Sequence, residues 1–450
     1  MAEKVKFGTK IGLIAATLGS AVGLGNVWRF PSVTQENGGA AFLIIYLACV
    51  LILGIPVMLA EFSIGRGGNA DSVTSYRKLS PGKKWYLNGV FGVVGSYIIL
   101  TYYIVVAGWT IQYLFASITG SLYDVDASGF NGKMVEMIAS DWSPVFWTWV
   151  MIAINFFVLT KGINRGIEKL SNILMPMLFL VLLIFAIVSL NLPNASEGVK
   201  YFLYPNFSKV TSQTFIHALG QTFYSLSLGM GILVTYASYY KKETKLTKTA
   251  TTVSLLASLV AVLMGIVIFP AVTSYGLNAN PDGLKGTTLI FVTLPEVFRN
   301  MPLTWLWSVL FFFLLGVAAL TSTISLGEVS ISLLQDYFKM TRLKACLIVF
   351  VPMLALSTVN ALSLGELSHI TIFGYNIFDF LDHFTTNFML PICAFFGCLY
   401  VGWGLPKKYL ENELTNFGTF KSYVYKPVLF SIRFVAPILM LIILFSPLFL

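Results

Sequence analysis

The chain has 450 residues, 56% hydrophobic and only 11% charged, with 29 Lys and Arg against 20 Asp and Glu and a net charge of +9. A soluble domain carries about 25% charged residues, so a soluble multidomain enzyme is excluded. A nucleic-acid binder is excluded with it, despite the basic balance. The composition describes an all-α polytopic membrane protein.

A spanning helix needs about 20 mostly apolar residues. Eleven runs meet that need, at about 11–35, 40–65, 86–117, 144–160, 166–190, 213–240, 249–276, 303–336, 343–362, 375–402 and 427–450. A membrane β-barrel would show ten-residue alternating segments, whereas these runs are unbroken. Short polar turns separate them, and no segment is long and polar enough to form a second domain. The stretch 287–299, TTLIFVTLPEVFR, is too short to span and reads as a hairpin capping an outer vestibule. The four cysteines, Cys49, Cys346, Cys393 and Cys398, all fall in apolar runs without metal-ligand spacing and read as packing residues.

The basic residues crowd into alternate connections. One set holds Lys4, Lys6 and Lys10, then Arg66 to Lys84, then Lys161, Arg165 and Lys169. It continues with Lys241, Lys242, Lys245 and Lys248, then Lys339, Arg342 and Lys344, and ends with Lys407, Lys408, Lys421 and Lys426. The opposite set keeps Lys133, Lys200, Lys209, Lys285 and Arg299. The positive-inside rule therefore places the N-terminus in the cytoplasm, with anionic membrane lipid as the partner of the basic face. Eleven spans then leave the C-terminus extracellular. The short termini point to a bacterial chain in the plasma (inner) membrane.

The most informative positions break the apolar rule. The first run contains GSAVGLGNVWRFP at 19–31, and the sixth contains SLSLGMG at 225–231. Glycine weakens a helix and proline removes a backbone donor, and unwound backbone at membrane depth is tolerated only where it is buried or lines a cavity. Either glycine cluster alone reads as well as a helix-packing contact. Two breaks five helices apart instead fit two five-helix inverted repeats, about 11–190 and 213–402, with an extra helix at about 427–450. Such breaks offer half-helix dipole ends to a carboxylate and freed carbonyls to a cation. An ion channel also uses polar breaks, and an intramembrane enzyme needs a nucleophile and base; no Ser/His/Asp, HExxH or paired-carboxylate constellation is present.

GSAVGLGNVWRFP, followed by ENGGAAF, EFSIGR, YYIVVAGW, QTFYSLSLGMG and ALTSTIS, resembles the neurotransmitter:sodium symporter family, in particular its eleven-helix bacterial amino-acid branch. The resemblance covers nearly the whole chain. It implies sodium-coupled uptake of a hydrophobic or aromatic L-amino acid by alternating access, no enzymatic activity, and a monomer or weak homodimer.

The resemblance also implies site residues. A first sodium falls to the Ala21 carbonyl, Asn26 and Ser225, completed by the substrate carboxylate. A second falls to the carbonyls of Gly19, Val22 and Ala318 and the hydroxyls of Thr321 and Ser322, although those hydroxyls can equally bond back to their own helix. The family's amide or acid ligands from the seventh helix are replaced here by Ala257 and Ala261. The ion count therefore stays at one or two, and chloride stays open around Tyr46, Gln221 and Ser225. The amides near Leu24 and Gly25 with the Tyr103 hydroxyl are expected to hold a carboxylate, and the carbonyls of Tyr224, Ser225 and Ser227 an ammonium. Ile99, Tyr224, Met230, Ser322 and Leu326 line the implied side-chain pocket.

Arg29 and Asp382 resemble an outer gate above a Tyr103–Tyr224 lid, and Lys4 and Asp336 an inner one. The family commonly has Arg and Trp where this chain has Lys4 and Phe7, and lysine lacks the bidentate fork. Gly166 and Pro176 resemble a motif for unwinding the fifth helix. Asp379 has no assigned role, and His217 reads as a helix-end polar residue.

Overall fold

The computed structural model describes residues 5–125, 129–277 and 286–446. Among the described residues, nine unbroken helices are long and apolar enough to cross a membrane. They are the second span, Ala40–Gly68, the third, Tyr86–Thr119, the fourth, Ser143–Thr160, and the fifth, Ile163–Leu190. After an interruption come the seventh, Leu246–Ser274, the eighth, Thr304–Asp336, the ninth, Arg342–Leu362, the tenth, Ile377–Gly404, and the eleventh, Tyr425–Phe445. The first span is a bent pair, Lys10–Ala21 and Gly25–Glu36, turning by 58° at the break. The sixth is split into Ser212–Ser225 and Ile232–Ala237, each too short to cross alone. Over their described residues the eleven runs read from the sequence are thus helical, apart from the strand at the start of the tenth, and the first and sixth carry the breaks.

Local chemistry explains both ends of each break. Thr9 caps the first span by accepting from the Gly12 amide, satisfying one of the free N–H groups of a helix start. Its helix stops where Val22 turns extended at φ −85° and ψ 98°. Pro31 sits in the opening turn of α-helix Phe30–Glu36, where its missing N–H costs nothing. The sixth span opens on a capping box between Thr211 and Thr214. It then stops at three residues with positive φ, Ser227 at 52°, Gly229 at 76° and Gly231 at 68°.

The third and eighth spans are the most enclosed, and the fourth, fifth and eleventh face outward. The first and sixth spans lie inside this scaffold. Gly108 lets the fourth span approach the third, since a Cβ there would stand 2.8 Å from the Thr148 amide nitrogen. Among the described residues the only strands are Thr371–Ile372 and Tyr375–Asn376, paired antiparallel with Thr371 opposite Asn376.

One region departs from the sequence reading, and another adds to it. The described part of the expected vestibule hairpin is one helical run over 286–299. Phe291 within it packs on Trp28, Trp109 and Tyr113, so this run covers the outer halves of the first and third spans. The fifth span is a continuous helix with Pro176 inside it and widened first turns at Ile163–Glu168. Gly166 belongs to those turns because a Cβ there would stand 2.3 Å from the Val158 carbonyl oxygen. That close approach is a packing reason for the glycine in this conformation.

Candidate transport site

The two breaks face each other. Gln221 Nε2 donates to the Gly25 carbonyl at 3.0 Å, and the Ser227 hydroxyl donates to the Ser20 carbonyl at 2.7 Å. The Ser227 bond satisfies a backbone oxygen that the interrupted helix has released, and the Gly25 carbonyl also accepts from the Phe30 amide. The Leu24 amide donates to the Tyr103 hydroxyl oxygen at 2.8 Å, which brings the third span into the same junction. Gly25 is pressed against Tyr224, where a Cβ would stand 2.1 Å from the ring.

A small cavity of about 30 Å3 opens between these elements. Of the residues implied by resemblance, Gly25, Ile99, Tyr103, Tyr224, Ser227, Met230, Ser322 and Leu326 line it, as does Ala21. The Leu24 side chain is wholly buried and is not among the lining residues. Ser225 is buried behind the lining. Three lining residues were missed from the sequence, Ser20, Gly23 and Ile232. Gly23 had a readable signal as the first glycine of GLG. A Cβ on it would stand 2.5 Å from the Ser322 hydroxyl and 2.8 Å from the Tyr103 hydroxyl. No charged side chain is among the lining residues.

Polar atoms suited to a hard cation cluster beside the cavity. Asn26 Nδ2 donates to the Ala257 carbonyl at 3.3 Å, while its Oδ1 is buried with no hydrogen-bond partner. An orphaned buried carbonyl-type oxygen is costly unless something satisfies it, and oxygen donors are what hard cations take. Ala257 thus contributes a backbone oxygen where its side chain offers nothing, and Ala261 is buried without a polar group. Gln221 Nε2 also donates to the Ser225 hydroxyl at 3.1 Å. The Tyr46 hydroxyl faces Ser225 and also Ser258, a seventh-span hydroxyl absent from the sequence reading.

Around the second implied cation site, the Thr321 hydroxyl donates to the carbonyls of Val317 and Ala318 at 3.1 and 3.2 Å. Back-bonding therefore operates, and it leaves the oxygen lone pairs available. Gly19 abuts this point, with its would-be Cβ 3.2 Å from Thr321 Cβ. Val22 and Ala318 are fully buried, and Ala318 is one of the two acceptors.

The outer charged residues are arranged differently from an ion pair. The Arg29 guanidinium lies over the Tyr224 ring at 4.7 Å from its centroid. Asp382 accepts from the Thr386 hydroxyl at 3.4 Å. Among the described residues no ion pair joins Arg29 and Asp382. On the opposite face Lys4 lies outside the described residues, and Asp336 accepts from the Asp71 amide at 2.7 Å. Phe7 is buried among Tyr236, Tyr239 and Tyr240.

Asp379 has a local explanation. Its amide donates to Asn376 Oδ1 at 2.8 Å while its carboxylate accepts from Asn376 Nδ2 at 2.7 Å, a reciprocal cap on the start of the tenth span. His217 shares a 3.0 Å contact with Asn37 Oδ1.

Three acids that hold the machinery together escaped the sequence reading, although an acid in an apolar run is itself the signal. Glu61 accepts from the Gly229 amide at 2.7 Å and so anchors the sixth-span break to the second span. Glu168 accepts from the amides of Gly8 and Thr9 at 2.8 and 2.9 Å, tying the start of the first span to the fifth. Glu328 is fully buried, pairs with Arg342 at 2.5 Å and accepts from the Tyr239 hydroxyl at 2.7 Å.

Comparison with known proteins decides the identity of this arrangement. The model of the sodium:neurotransmitter symporter family matches residues 4–128 and 133–449. The chain belongs to that family. The symporter is 40% identical to the chain in a crystal structure of MhsT in complex with L-phenylalanine, with a TM-score of 0.90 covering 98% of this chain and 99% of that one. It is 34% identical to an uncharacterized sodium-dependent transporter of Haemophilus influenzae, over 99% of both chains. It is 32% identical to the uncharacterized sodium-dependent transporter YhdH of Bacillus subtilis, over 98% of this chain and 97% of the relative. The symporter is accordingly a multi-pass membrane protein of a sodium-coupled transport family, with the helical architecture of two repeats broken at spans one and six, and it is not an enzyme.

Proposed function

We propose that the symporter takes up a hydrophobic or aromatic L-amino acid by alternating access. The observation that carries this reading is a cavity between two helix breaks with polar backbone on one side, apolar walls on the other and no fixed charge. A zwitterion is suited to such a place. Its carboxylate meets the amide end near Leu24 and Gly25 and the Tyr103 hydroxyl, and its ammonium meets carbonyls of Tyr224, Ser225 and Ser227. Neither needs a buried protein charge, which would be expensive in a membrane. Ile99, Ile232, Met230 and Leu326 offer apolar contact to the side chain, and the flexible thioether of Met230 adjusts to its shape. The phenylalanine bound in the MhsT crystal structure supports a substrate of this class.

Sodium is cargo in this scheme. One ion takes the unpartnered Asn26 oxygen, with the Ala21 carbonyl, Ser225 and the substrate carboxylate. A second takes carbonyls of Gly19, Val22 and Ala318 with the hydroxyls of Thr321 and Ser322. Direct ligation of the first ion by substrate makes each bind better in the presence of the other, which is reciprocal coupling. Arg29 above Tyr224 and Asp382 close the outer path, and Lys4 with Asp336 the inner path, as repeats 11–190 and 213–402 move against each other. The charge distribution supports a cytoplasmic N-terminus and an extracellular C-terminus; a bacterial plasma (inner) membrane and a monomer or weak homodimer complete the proposal.

The test is uptake into proteoliposomes of labelled Phe, Trp, Leu, Met, Ala and Glu, with sodium or potassium outside and chloride or gluconate as anion. Sodium-driven, saturable uptake of the large apolar substrates, with Glu excluded, is expected. Equal uptake in potassium, or preference for Glu, overturns the reading. The anion arm decides chloride dependence, and a sodium Hill coefficient above 1 establishes a second ion.

A further inference from the structure

We infer that the symporter carries a site for an anionic glycerophospholipid at the end of the molecule that bears its N-terminus. A cavity of about 270 Å3 lies there, away from the transport site. Lys10, Lys241, Lys245 and Lys248 line it, over a floor that includes Leu13 and Ile14. These lysines come from the start of the first span, the connection after the sixth and the start of the seventh. The fold therefore gathers a charge cluster that no single segment contains. Glu243 is the one carboxylate among the lining residues, so the cavity keeps an excess of positive charge.

Two of the lysines are already engaged. Lys241 donates to the Gly8 carbonyl at 3.2 Å, and the Lys245 ammonium lies 5.1 Å from the centre of the Phe420 ring. Among the described residues, Lys10 and Lys248 have no hydrogen-bond or ion-pair partner, and both are exposed. Two free ammonium groups beside a concave wall are the chemistry that receives a phosphodiester.

The surroundings select a lipid over a soluble phosphate. Ile11, next to Lys10, is 75% exposed. On the seventh span Lys248, Leu255 and Leu259 are all exposed, seven and four residues apart, and so share one helix face. Cations therefore stand at the head of an outward-facing apolar track, as a lipid with a charged head and a hydrocarbon tail requires. Basic pockets between spanning helices attract anionic head groups, at about 1 kcal/mol per lysine near the surface. The inference is independent of which amino acid is transported.

Native mass spectrometry of the purified, delipidated full chain tests it, with dioleoylphosphatidylglycerol, dioleoylphosphatidylcholine and inorganic phosphate as probes. One saturable phosphatidylglycerol adduct is expected, with phosphatidylcholine far weaker and millimolar phosphate unable to displace it. The double variant Lys10→Gln/Lys248→Gln should weaken the adduct about thirty-fold. Lys344→Gln/Lys407→Gln, which removes two exposed charges elsewhere, should leave it unchanged. Each single variant, Lys10→Gln or Lys248→Gln, should lose about five-fold, and these carry the test if the double variant does not fold. Equal binding of phosphatidylcholine, an unchanged adduct in the lysine variants, or displacement by phosphate overturns the proposal. The last outcome would mark a soluble-anion site instead.

Discussion

The first and sixth spans are both broken, yet glycine serves a different purpose in each. At the first break no residue has a positive φ; the helix opens by an extended Val22, and Gly23 and Gly25 are needed because Ser322, Tyr103 and Tyr224 come too close for any side chain. At the sixth break Gly229 and Gly231 adopt left-handed backbone, which glycine accepts without steric cost. The sixth break is also tethered, since the Gly229 amide donates to Glu61. One break is shaped by what packs against it, the other by its own left-handed backbone and a buried acid, with Leu390 closing on Gly229 as well. Substitutions at the first should therefore damage binding more than folding, and substitutions at the sixth both.

The largest effect expected is from Gly25→Ala, whose Cβ collides with the Tyr224 ring. Substrate binding should fall at least a hundred-fold while the thermal transition shifts little, as read by scintillation proximity and by melting of the same sample. A parallel loss of stability would erase the distinction drawn here. Gly229→Ala should act on both readouts. Its positive φ and a 2.5 Å approach to the Leu390 carbonyl oxygen combine into roughly 1–3 kcal/mol of destabilisation, with uptake reduced in step.

Asn26→Leu replaces the orphaned oxygen with a methyl group. The sodium concentration needed for half-maximal binding should rise about ten-fold or more, and an unshifted sodium titration would remove Asn26 from the cation site. Tyr103→Phe removes the hydroxyl that the proposed function sets against the substrate carboxylate, beside the Leu24 amide. A net loss of about 1 kcal/mol for one such bond predicts roughly five-fold weaker substrate binding. The smallest effect belongs to Asp379→Ala, which keeps the Asn376 cap on the residue-379 amide and removes only the bond from Asn376 Nδ2 to the carboxylate, about 0.5–1 kcal/mol of stability. Its uptake rate per folded molecule should match the wild type, and a selective transport defect would give Asp379 a part in the outer gate after all.

Much of this was legible in the amino-acid order. Eleven apolar runs follow from the length a membrane demands, and both breaks from glycines that a spanning helix has no use for. Most of the cavity lining could be named because the motif around 19–31 and the SLSLGMG stretch travel with a family pattern. The omissions share a cause. Ser20, Gly23 and Ile232 are ordinary residues until another helix is laid against them. Ser258 reads as one more serine in an apolar helix until Tyr46 is seen to face it.

The charged residues divide in the same way. Their number and their alternation along the chain are properties of the sequence, because the cost of burying charge and the pull of the anionic leaflet act on each residue by itself. Partners are not such a property. Arg29 stacks on Tyr224 rather than pairing with Asp382, Asp379 caps its own helix, and Glu61 holds a glycine amide that stands 168 residues away. Four lysines of three segments meet in one cavity only because the first and seventh spans start side by side. The solvent determined which residues enter the membrane, and the sequence carries that information one residue at a time. Which polar atom meets which depends on contacts between distant segments, and only the packed helices decide them.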